Sequence, residues 1–364
     1  MTSRIETTFI IHPTFECNAD CLHCGVAHLR SKYKRFLPQE VGVRAIFRCI
    51  EFLKRIHDSN NFLLVLVFHG GEPMLVGVNY YEKFLNVLDS EIKKNKDDIS
   101  YTVSFQSNLI LYNDNWKNFL KKHNGKVSSS YDFYANFRVF RENTENEKYF
   151  LSWTNKVKKY QDDFGSRLHV ITVISRLNKD YIKEIVDYGY YLNLNLKLNP
   201  LYDAGNAKNI YNDISISDKE YGEVLINAYR QWQKYKDSMH IEQCKEMEEY
   251  VLGICDKMHT KCPYSGICVG YIWGIDPDGN IYNCGNSIQM GRYYLGNFKN
   301  GVVMNNFLNA KKDDLDVFSD CFSCGICGGG CKLFRESNTK KYTWCESYKM
   351  LFLEIKGFMK EELK

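Results

Sequence analysis

The sequence predicts an α/β protein, a partial (β/α)6 TIM-like barrel followed by a small cysteine-rich domain. Short apolar segments alternate with amphipathic segments six times over roughly the first 235 residues. Six strand-then-helix units favour a parallel sheet, closed or nearly closed, because parallel strands need a crossover connection that a helix supplies. From about residue 255 the alternation stops, and Cys, Gly and Tyr become frequent. We therefore expect a barrel over residues 1–235, a helical linker over 236–260 and the cysteine-rich domain over 261–364.

Each predicted barrel strand is a short apolar or alternating run next to turn residues. These strands are 7–11, 62–68, 101–106, 126–130, 168–174 and 194–198. The predicted helices carry apolar residues at i, i+3 and i+4 spacing. They cover about 39–58, 79–95, 113–123, 146–163, 178–191 and 217–236. In barrels of this type the chemistry lies on the loops that follow the carboxyl ends of the strands.

The cysteine-rich segment is too rich in turns to be stabilised by apolar burial alone. Residues 276–280, with the sequence DPDGN, separate two short apolar runs and predict a hairpin turn. A metal framework would supply the missing stability.

Composition and charge exclude several classes of protein. With 48 basic and 44 acidic side chains, scattered along the chain, nothing indicates a nucleic-acid partner. The longest apolar run, 62–68, is far shorter than the ~20 residues that span a bilayer, so no membrane association is expected. The first residues include no apolar signal segment. We expect a cytoplasmic protein, in which 14 reduced cysteines indicate metal binding or catalysis.

The first cysteine group directly follows the first predicted strand. Cys17, Cys21 and Cys24 form a C-x3-C-x2-C run in one loop. A structural zinc site or a fully ligated iron–sulfur cubane takes four protein ligands. Three thiolates therefore leave one coordination position open, whereas three merely buried thiols would not require this spacing.

This loop, after the first strand of a six-fold α/β chain, resembles the radical S-adenosylmethionine (SAM) superfamily. The resemblance implies that the three cysteines hold a [4Fe–4S] cluster whose open iron binds SAM. It also implies that reductive cleavage of SAM gives a 5′-deoxyadenosyl radical, which abstracts hydrogen from the substrate. The position before the third cysteine, often aromatic in the family, is His23, which can still offer its backbone to adenine.

Three further segments match the family in order and in strand placement. Residues 70–73, GGEP, follow the second predicted strand, residues 106–108, QSN, the third, and residues 130–132, SYD, the fourth. Glycines after a strand commonly do no more than turn the chain, so the first segment alone would be weak evidence. The resemblance implies that the SAM contacts are Gly70, Gly71, Glu72, Ser107, Asn108 and Ser130.

Eight further cysteines lie in the last hundred residues or so, enough for two cubanes with four ligands each. Their pattern resembles a SPASM domain, which carries two auxiliary [4Fe–4S] clusters. The implied ligands are Cys262, Cys268, Cys284 and Cys331 for the first cluster, and Cys321, Cys324, Cys327 and Cys345 for the second. Two residues separate Cys324 from Cys327, where the family commonly has five. A pair of zinc ribbons is the alternative, because C-x2-C pairs also suit zinc.

Three cysteines and two aspartates have no assigned role. Cys49, Cys244 and Cys255 are expected to be buried thiols, and a role for Cys244 or Cys255 in returning a hydrogen atom to a substrate radical stays open. Asp132 and Asp203 lie where barrel loops could reach a substrate. Either could be a base, although a solvated loop carboxylate is the commoner case.

The chain most resembles anaerobic sulfatase-maturating enzymes and related peptide-modifying radical SAM/SPASM maturases. In the maturases an Asp after the third cysteine of the first auxiliary cluster acts as a base, whereas this chain has Gly285. The leading hypothesis is therefore the oxidation of a peptide, a ribosomally made precursor, by hydrogen abstraction with carbon–carbon or thioether cross-linking. Dehydrogenation of a Ser or Cys side chain or of a small alcohol, and a zinc-ribbon binding module, are the alternatives.

The resemblance also implies partners. These are SAM, three [4Fe–4S] clusters, a peptide or protein substrate, and an electron donor such as flavodoxin or ferredoxin. No spare segment precedes the first predicted strand, so a leader peptide would bind the barrel or a separate leader-peptide-binding protein.

Overall fold

A computed structural model describes residues 4–33, 36–141, 145–254, 262, 268–315, 329–336, 338–339 and 341–362. Within these ranges ten strands form one sheet. The strands are β1 (Ile5–Thr14), β2 (Asn61–Gly70), β3 (Asp98–Gln106), β4 (Lys126–Ser130), β5 (Leu168–Ile174), β6 (Leu194–Pro200), β7 (Ile272–Ile275), β8 (Asn280–Tyr282), β9 (Tyr294–Asn297) and β10 (Gly301–Val302).

The helices lie between and after these strands. They are α1 (Gln39–His57), α2 (Val78–Lys94), α3 (Asp114–Lys122), α4 (Asn146–Phe164), α5 (Ile182–Tyr191), α6 (Tyr211–Ile214), α7 (Asp218–Trp232), α8 (Glu242–Val251), α9 (Gly285–Met290), α10 (Met304–Leu315) and α11 (Cys345–Glu362). All six predicted strands and all six predicted helices are present, and the predicted α/β class is confirmed. β1 is longer than predicted because backbone pairing continues to Thr14, opposite Gly70.

The sheet is open, not closed. Its strand order is β10-β9-β8-β7-β1-β2-β3-β4-β5-β6, with β1 to β6 parallel to their neighbours. The edge of β1 that a closed barrel would pair with β6 pairs instead with β7, again in parallel. The partial barrel is therefore confirmed, and full closure is prevented because the cysteine-rich segment occupies the free edge.

Strands from the two predicted domains thus share one sheet. The Trp273 indole on β7 is fully buried and donates to Thr7 Oγ1 on β1 at 3.0 Å. The predicted hairpin at 276–280 joins β7 to β8. There Asp276 Oδ1 accepts from the Asp278 and Asn280 backbone N–H groups, and Gly279 takes the left-handed conformation that this turn requires (φ +77°). The boundaries near 235 and 260 stay predictions.

A continuous apolar core lies between the sheet and the helices. Alternate residues of β2, from Phe62 to Phe68, are fully buried beneath the helices, and α1 buries Val43, Ile46 and Ile50 against them. The last helix, α11, packs on α7, where the Asp218 carboxylate accepts from two N–H groups in its first turn. No helix in the described ranges has the length and apolarity needed to cross a membrane.

Candidate functional site: a thiol-lined cavity at the carboxyl edge of the sheet

The loops after β1, β2 and β3 and the end of β4 meet at one edge of the sheet, as parallel strands require. They enclose a cavity of about 170 Å³. Eight of the predicted site residues line it: Cys17, Cys21, Cys24, Gly70, Gly71, Ser107, Asn108 and Ser130. The structure therefore brings the three cysteines of the first group together with all of the predicted SAM contacts except Glu72.

The thiols of this loop lie in a poorly solvated environment. Burial raises the pKa of Cys17 to about 11 and that of Cys21 to about 12, although Arg138 opposes the shift at Cys21. Thiolates here are costly unless a strongly positive group compensates them, and iron in a cluster is such a group. The donor set thus fits an iron–sulfur cluster. No three His, Cys, Asp or Glu side chains in the described ranges are grouped to hold a single metal ion, and a cubane distributes its thiolates over different iron atoms.

Hydrogen bonds connect the cysteine loop to the loop after β3. The Ala19 backbone N–H lies 3.4 Å from Cys17 Sγ, and the Asn108 amide nitrogen lies 3.7 Å from the same sulfur. That amide also donates to Asn18 Oδ1 at 2.7 Å. Asn108 therefore positions the first cysteine while it lines the cavity.

Glu72 lies behind the cavity wall. The carboxylate is fully buried, and its Oε1 accepts from the Met74 N–H at 2.9 Å and from the Ser107 hydroxyl at 2.7 Å. Its Oε2 accepts from the Asn108 N–H at 2.7 Å. Burial raises the pKa of Glu72 to about 7, against the opposing effect of these donors. Glu72 thus connects the loops after β2 and β3 by hydrogen bonds, and it does not line the cavity predicted for SAM.

Gly70 and Gly71 are needed because the chain passes close to the loop after β1. At Gly71 an added Cβ would lie 2.1 Å from the Glu16 carbonyl oxygen and 2.5 Å from that of Phe15. Gly70 has φ +119°, and its added Cβ would lie 2.3 Å from the Thr14 carbonyl oxygen. Only glycine lets the two loops approach to this distance.

Asp132, considered as a base from the sequence, is held in an ion-paired network. Its carboxylate is buried, and Oδ2 lies 2.8 Å from Arg138 Nε and 3.4 Å from His23 Nε2. Its Oδ1 accepts from the Val173 N–H at 2.8 Å. Burial lowers the pKa of His23 to about 4, although Asp132 acts in the opposite direction. Asp132 therefore orients the charge of Arg138 towards the cysteine loop.

The four cysteines predicted for the first auxiliary cluster are brought together. Cys331 directly follows the glycines at 329 and 330, and the charges of Cys262, Cys284 and Cys268 add to burial in raising its pKa. The Asn283 amide nitrogen lies 3.1 Å from Cys268 Sγ. Next to this group, the Asp314 carboxylate accepts from the Cys268 and Val269 N–H groups at 3.1 and 2.9 Å. Asp314 also pairs with the buried Lys332 ammonium at 2.9 Å.

The second auxiliary set lies mostly outside the described residues. Cys321, Cys324 and Cys327 fall there, as does Cys255. Cys345 is buried at the start of α11. Cys49 and Cys244 are fully buried in the apolar core, as the sequence predicts for thiols without a ligand role.

A second, larger cavity adjoins the first. Its volume is about 760 Å³, and it lies among the loop after β6, α9 and the segment around residues 333–335. Gln289 lines both cavities, and its side chain lies directly against Gly25. Asp203 is exposed at the wall of the larger cavity, so its carboxylate faces that space and not the cysteine loop.

Sequence reasoning missed two histidines at this edge. His69, at the end of β2, lines the smaller cavity, and the ring of His12 on β1 stacks on it with 5.6 Å between ring centroids. Both residues occupy strand positions whose alternation places them on the face away from the helices, so the signal was present in the sequence. Gln289 carried no comparable signal.

Comparison with known proteins gives full-length relatives but no matching family model. The chain is 25% identical over 362 residues to the cysteine-type anaerobic sulfatase-maturating enzyme of Clostridium perfringens (strain ATCC 13124), with 92% of each chain covered. It is 24% identical over 369 residues to the radical SAM cyclopropyl synthase TigE of Paramaledivibacter caminithermalis, covering 93% of this chain and 72% of that one.

Solved structures show the same fold. His-tagged anSMEcpe with bound AdoMet has a TM-score of 0.76 at 20% identity, with 98% of both chains covered. Native anSMEcpe with bound AdoMet and Cp18Cys peptide has a TM-score of 0.74 at 20% identity, covering 99% of this chain and 100% of that one. The chain is therefore similar, over nearly its full length, to enzymes of the radical SAM class, and it shares the fold of the solved ones.

Within that class, the relatives of this chain are maturating enzymes that include cysteine-type and serine-type anaerobic sulfatase maturases. The resemblance predicted from the sequence is thus confirmed.

The close approach at Gly71 can be tested by substitution. We expect Gly71→Ala to lower the free energy of unfolding by about 2 kcal/mol or more, because the new Cβ collides with backbone carbonyls that no side-chain movement can relieve. Thermal unfolding measures this. Gly357→Ala in α11 is the control, because an added Cβ there meets nothing within 4 Å and alanine favours a helix. A Gly71→Ala protein as stable as the control would contradict the close approach of the two loops at Gly71.

Proposed function

We propose that this enzyme cleaves SAM reductively and oxidises a side chain of a peptide substrate. The observation that carries the proposal is the pair of adjoining cavities, one lined by the three thiols of the loop after β1 and the other large enough for several peptide side chains. Solved neighbours that contain both AdoMet and a peptide support the same combination here.

Cys17, Cys21 and Cys24 would hold the catalytic cluster, and Gly70, Gly71, Ser107, Asn108 and Ser130 would surround SAM. When bound, the cluster and SAM supply the radical that removes a hydrogen atom from the substrate. Glu72 would act on SAM indirectly, through the N–H and hydroxyl groups that it orients. Cys262, Cys268, Cys284 and Cys331 would hold one auxiliary cluster. Cys321, Cys324, Cys327 and Cys345 would hold another, giving three [4Fe–4S] clusters in all.

The larger cavity is suited to an acidic peptide. Four basic side chains line it, against the single carboxylate of Asp203: Lys32, Lys208, Arg292 and Arg335. Among the described residues, none of the four is ion-paired with a carboxylate; Arg335, for example, donates to the carbonyl oxygens of Gly329, Gly330 and Asp313. A substrate carboxylate would therefore find uncompensated positive charge.

The favoured product is an oxidative carbon–carbon or thioether cross-link in a ribosomally made precursor peptide. Gly285 offers no carboxylate base at the start of α9, which argues against simple sulfatase maturation. Formylglycine-type oxidation of a Cys or Ser side chain is the second candidate, because the similarity to maturases extends over 92% of the chain. A small flavodoxin or ferredoxin would supply the electron, and a separate protein would present any leader peptide.

The proposed function predicts isotope transfer. Incubation with SAM, a reductant and deuterated candidate precursor peptides encoded beside the gene should place deuterium in 5′-deoxyadenosine, measured by mass spectrometry. Cys17→Ala should abolish 5′-deoxyadenosine formation, because the cluster loses a ligand. Cys49→Ala, which changes a fully buried thiol of the core, should preserve it.

Deuterium transfer from a small alcohol in the absence of peptide would replace the peptide proposal with the small-substrate alternative. No transfer from any of the peptides or alcohols would contradict both.

The charge of the larger cavity predicts a preference for acidic peptides. Lys208→Glu should raise KM for an acidic peptide about threefold to tenfold, equivalent to roughly 0.6–1.4 kcal/mol, while kcat changes little. The same substitution should leave KM for a neutral peptide almost unchanged. Steady-state kinetics measure both values, with Lys312→Glu on the exposed face of α10 as the charge-matched control. Equal KM changes for the two Lys→Glu variants would refute the preference.

A further inference from the structure

Two imidazoles meet on the face of the sheet away from the helices, beside the proposed SAM cavity. His12 extends from β1 and His69 from the neighbouring strand β2, and their rings stack with centroids 5.6 Å apart and planes inclined by 27°. His69 is half-buried and lines the cavity, whereas His12 is 0% exposed behind it. The pair thus connects the cavity to the interior of the sheet.

Three of the four ring nitrogens of this pair lack a hydrogen-bond partner in the described part of the chain. Neither Nδ1 nor Nε2 of His12 has a hydrogen-bond partner among the described residues, and neither does Nδ1 of His69. A buried polar atom without a partner costs about 1–3 kcal/mol, and proteins rarely leave one in place without a reason. An apolar side chain would fill the same space without that cost, so the two imidazoles indicate a chemical role.

Both rings are neutral near neutral pH. Burial lowers the pKa of His69 to about 4, which the backbone of Gly70 partly opposes. Burial lowers the pKa of His12 well below its usual value, and the neighbouring His69 lowers it further. A neutral imidazole has a free lone pair, and two rings this close cannot both carry a charge in a desolvated site. The pair can therefore take up one proton.

The position of Gly285 completes the arrangement. At the start of α9, an added Cβ on Gly285 would lie 3.2 Å from His12 Nε2 and 2.9 Å from Ile10 Cγ2. The space that a side chain at 285 would enter is thus already filled by the Ile10 side chain and the His12 ring. The acid–base group that β1 presents to the start of α9 is therefore the His12 imidazole.

We propose that His69 accepts the proton that the substrate loses during oxidation, and that His12 is its positioning partner. This inference rests on the proposed function. One electron from the reductant would convert SAM to methionine and 5′-deoxyadenosine, and the 5′-deoxyadenosine would keep one substrate hydrogen. The substrate then loses a proton to the His69 imidazole and an electron to an iron–sulfur cluster as oxidant. The product is a substrate oxidised by two electrons.

The first test separates hydrogen abstraction from oxidation. The His69→Gln holoenzyme should form 5′-deoxyadenosine at near the wild-type rate. The ratio of oxidised peptide to 5′-deoxyadenosine should fall at least tenfold. Glutamine keeps the polarity and approximate length of histidine but cannot accept the proton. His57→Gln, on an exposed residue at the end of α1, should keep the wild-type ratio. An unchanged ratio in His69→Gln would overturn the proposal.

The second test uses a compensating pair. His12→Ala should lower the ratio because the partner of His69 is lost, and Gly285→Asp should lower it because the new side chain collides with the His12 ring. In the His12→Ala/Gly285→Asp double variant the carboxylate enters the vacated space, and the ratio should recover by at least threefold over His12→Ala. Thermal unfolding of the four proteins identifies any variant that does not fold. A folded double variant that shows no recovery would count against the role of His12.

A third readout does not depend on turnover. Diethyl pyrocarbonate modifies neutral imidazoles, so His69 of the wild-type holoenzyme should be carbethoxylated at neutral pH and protected when SAM and peptide are bound. Peptide mapping by mass spectrometry measures this, with exposed His57 as the unprotected reference. Equal modification of His69 with and without peptide would contradict the proposed contact between His69 and the substrate. Wild-type enzyme that oxidises no peptide would instead refute the proposed function itself.

Discussion

The desolvation of the cysteine loop after β1 is the constraint on which the rest of the site depends. Burial raises the pKa of Cys17 and of Cys21 to about 11 and 12, so the free protein holds thiols where a cluster requires thiolates. Such a loop is useful only if it is rigid and if a strongly positive group binds to it. The neighbouring loops supply the rigidity: Asn108 contacts the sulfur of Cys17, and Arg138 contributes positive charge near Cys21.

The parallel sheet places the other residues of the site next to the cysteine loop. Because β1, β2, β3 and β4 are parallel neighbours, their carboxyl ends place the cysteine loop, the glycines and Ser130 around one cavity. Glu72 accepts hydrogen bonds from two of these loops, and Gly71 lets them approach to contact distance. The pairing of β7 with β1 then places α9 and Gly285 against the same edge. The cysteines predicted for the first auxiliary cluster and the larger cavity thereby lie beside the cysteine loop after β1.

Much of this could be predicted from the sequence, because the barrel elements have strong periodicity and the cysteine spacing is specific. The strands 126–130 and 168–174 agree with the structure residue for residue. The pairing of β7 with β1 could not be predicted, because it joins residues about 264 positions apart. The inward turn of Glu72 and the stacking of His12 on His69 depend on side-chain packing, which a motif does not encode. The second auxiliary set still rests on sequence alone.

The most direct test of the account is electron paramagnetic resonance of the reduced, anaerobically reconstituted enzyme with and without SAM. The account predicts a brown protein with roughly twelve iron atoms for three cubanes, in which SAM changes the signal of one cluster. The Cys17→Ala/Cys21→Ala/Cys24→Ala protein should retain roughly eight iron atoms, and SAM should leave its spectrum unchanged. A colourless, zinc-containing wild-type protein, or a response to SAM that persists in the triple variant, would contradict the central claim.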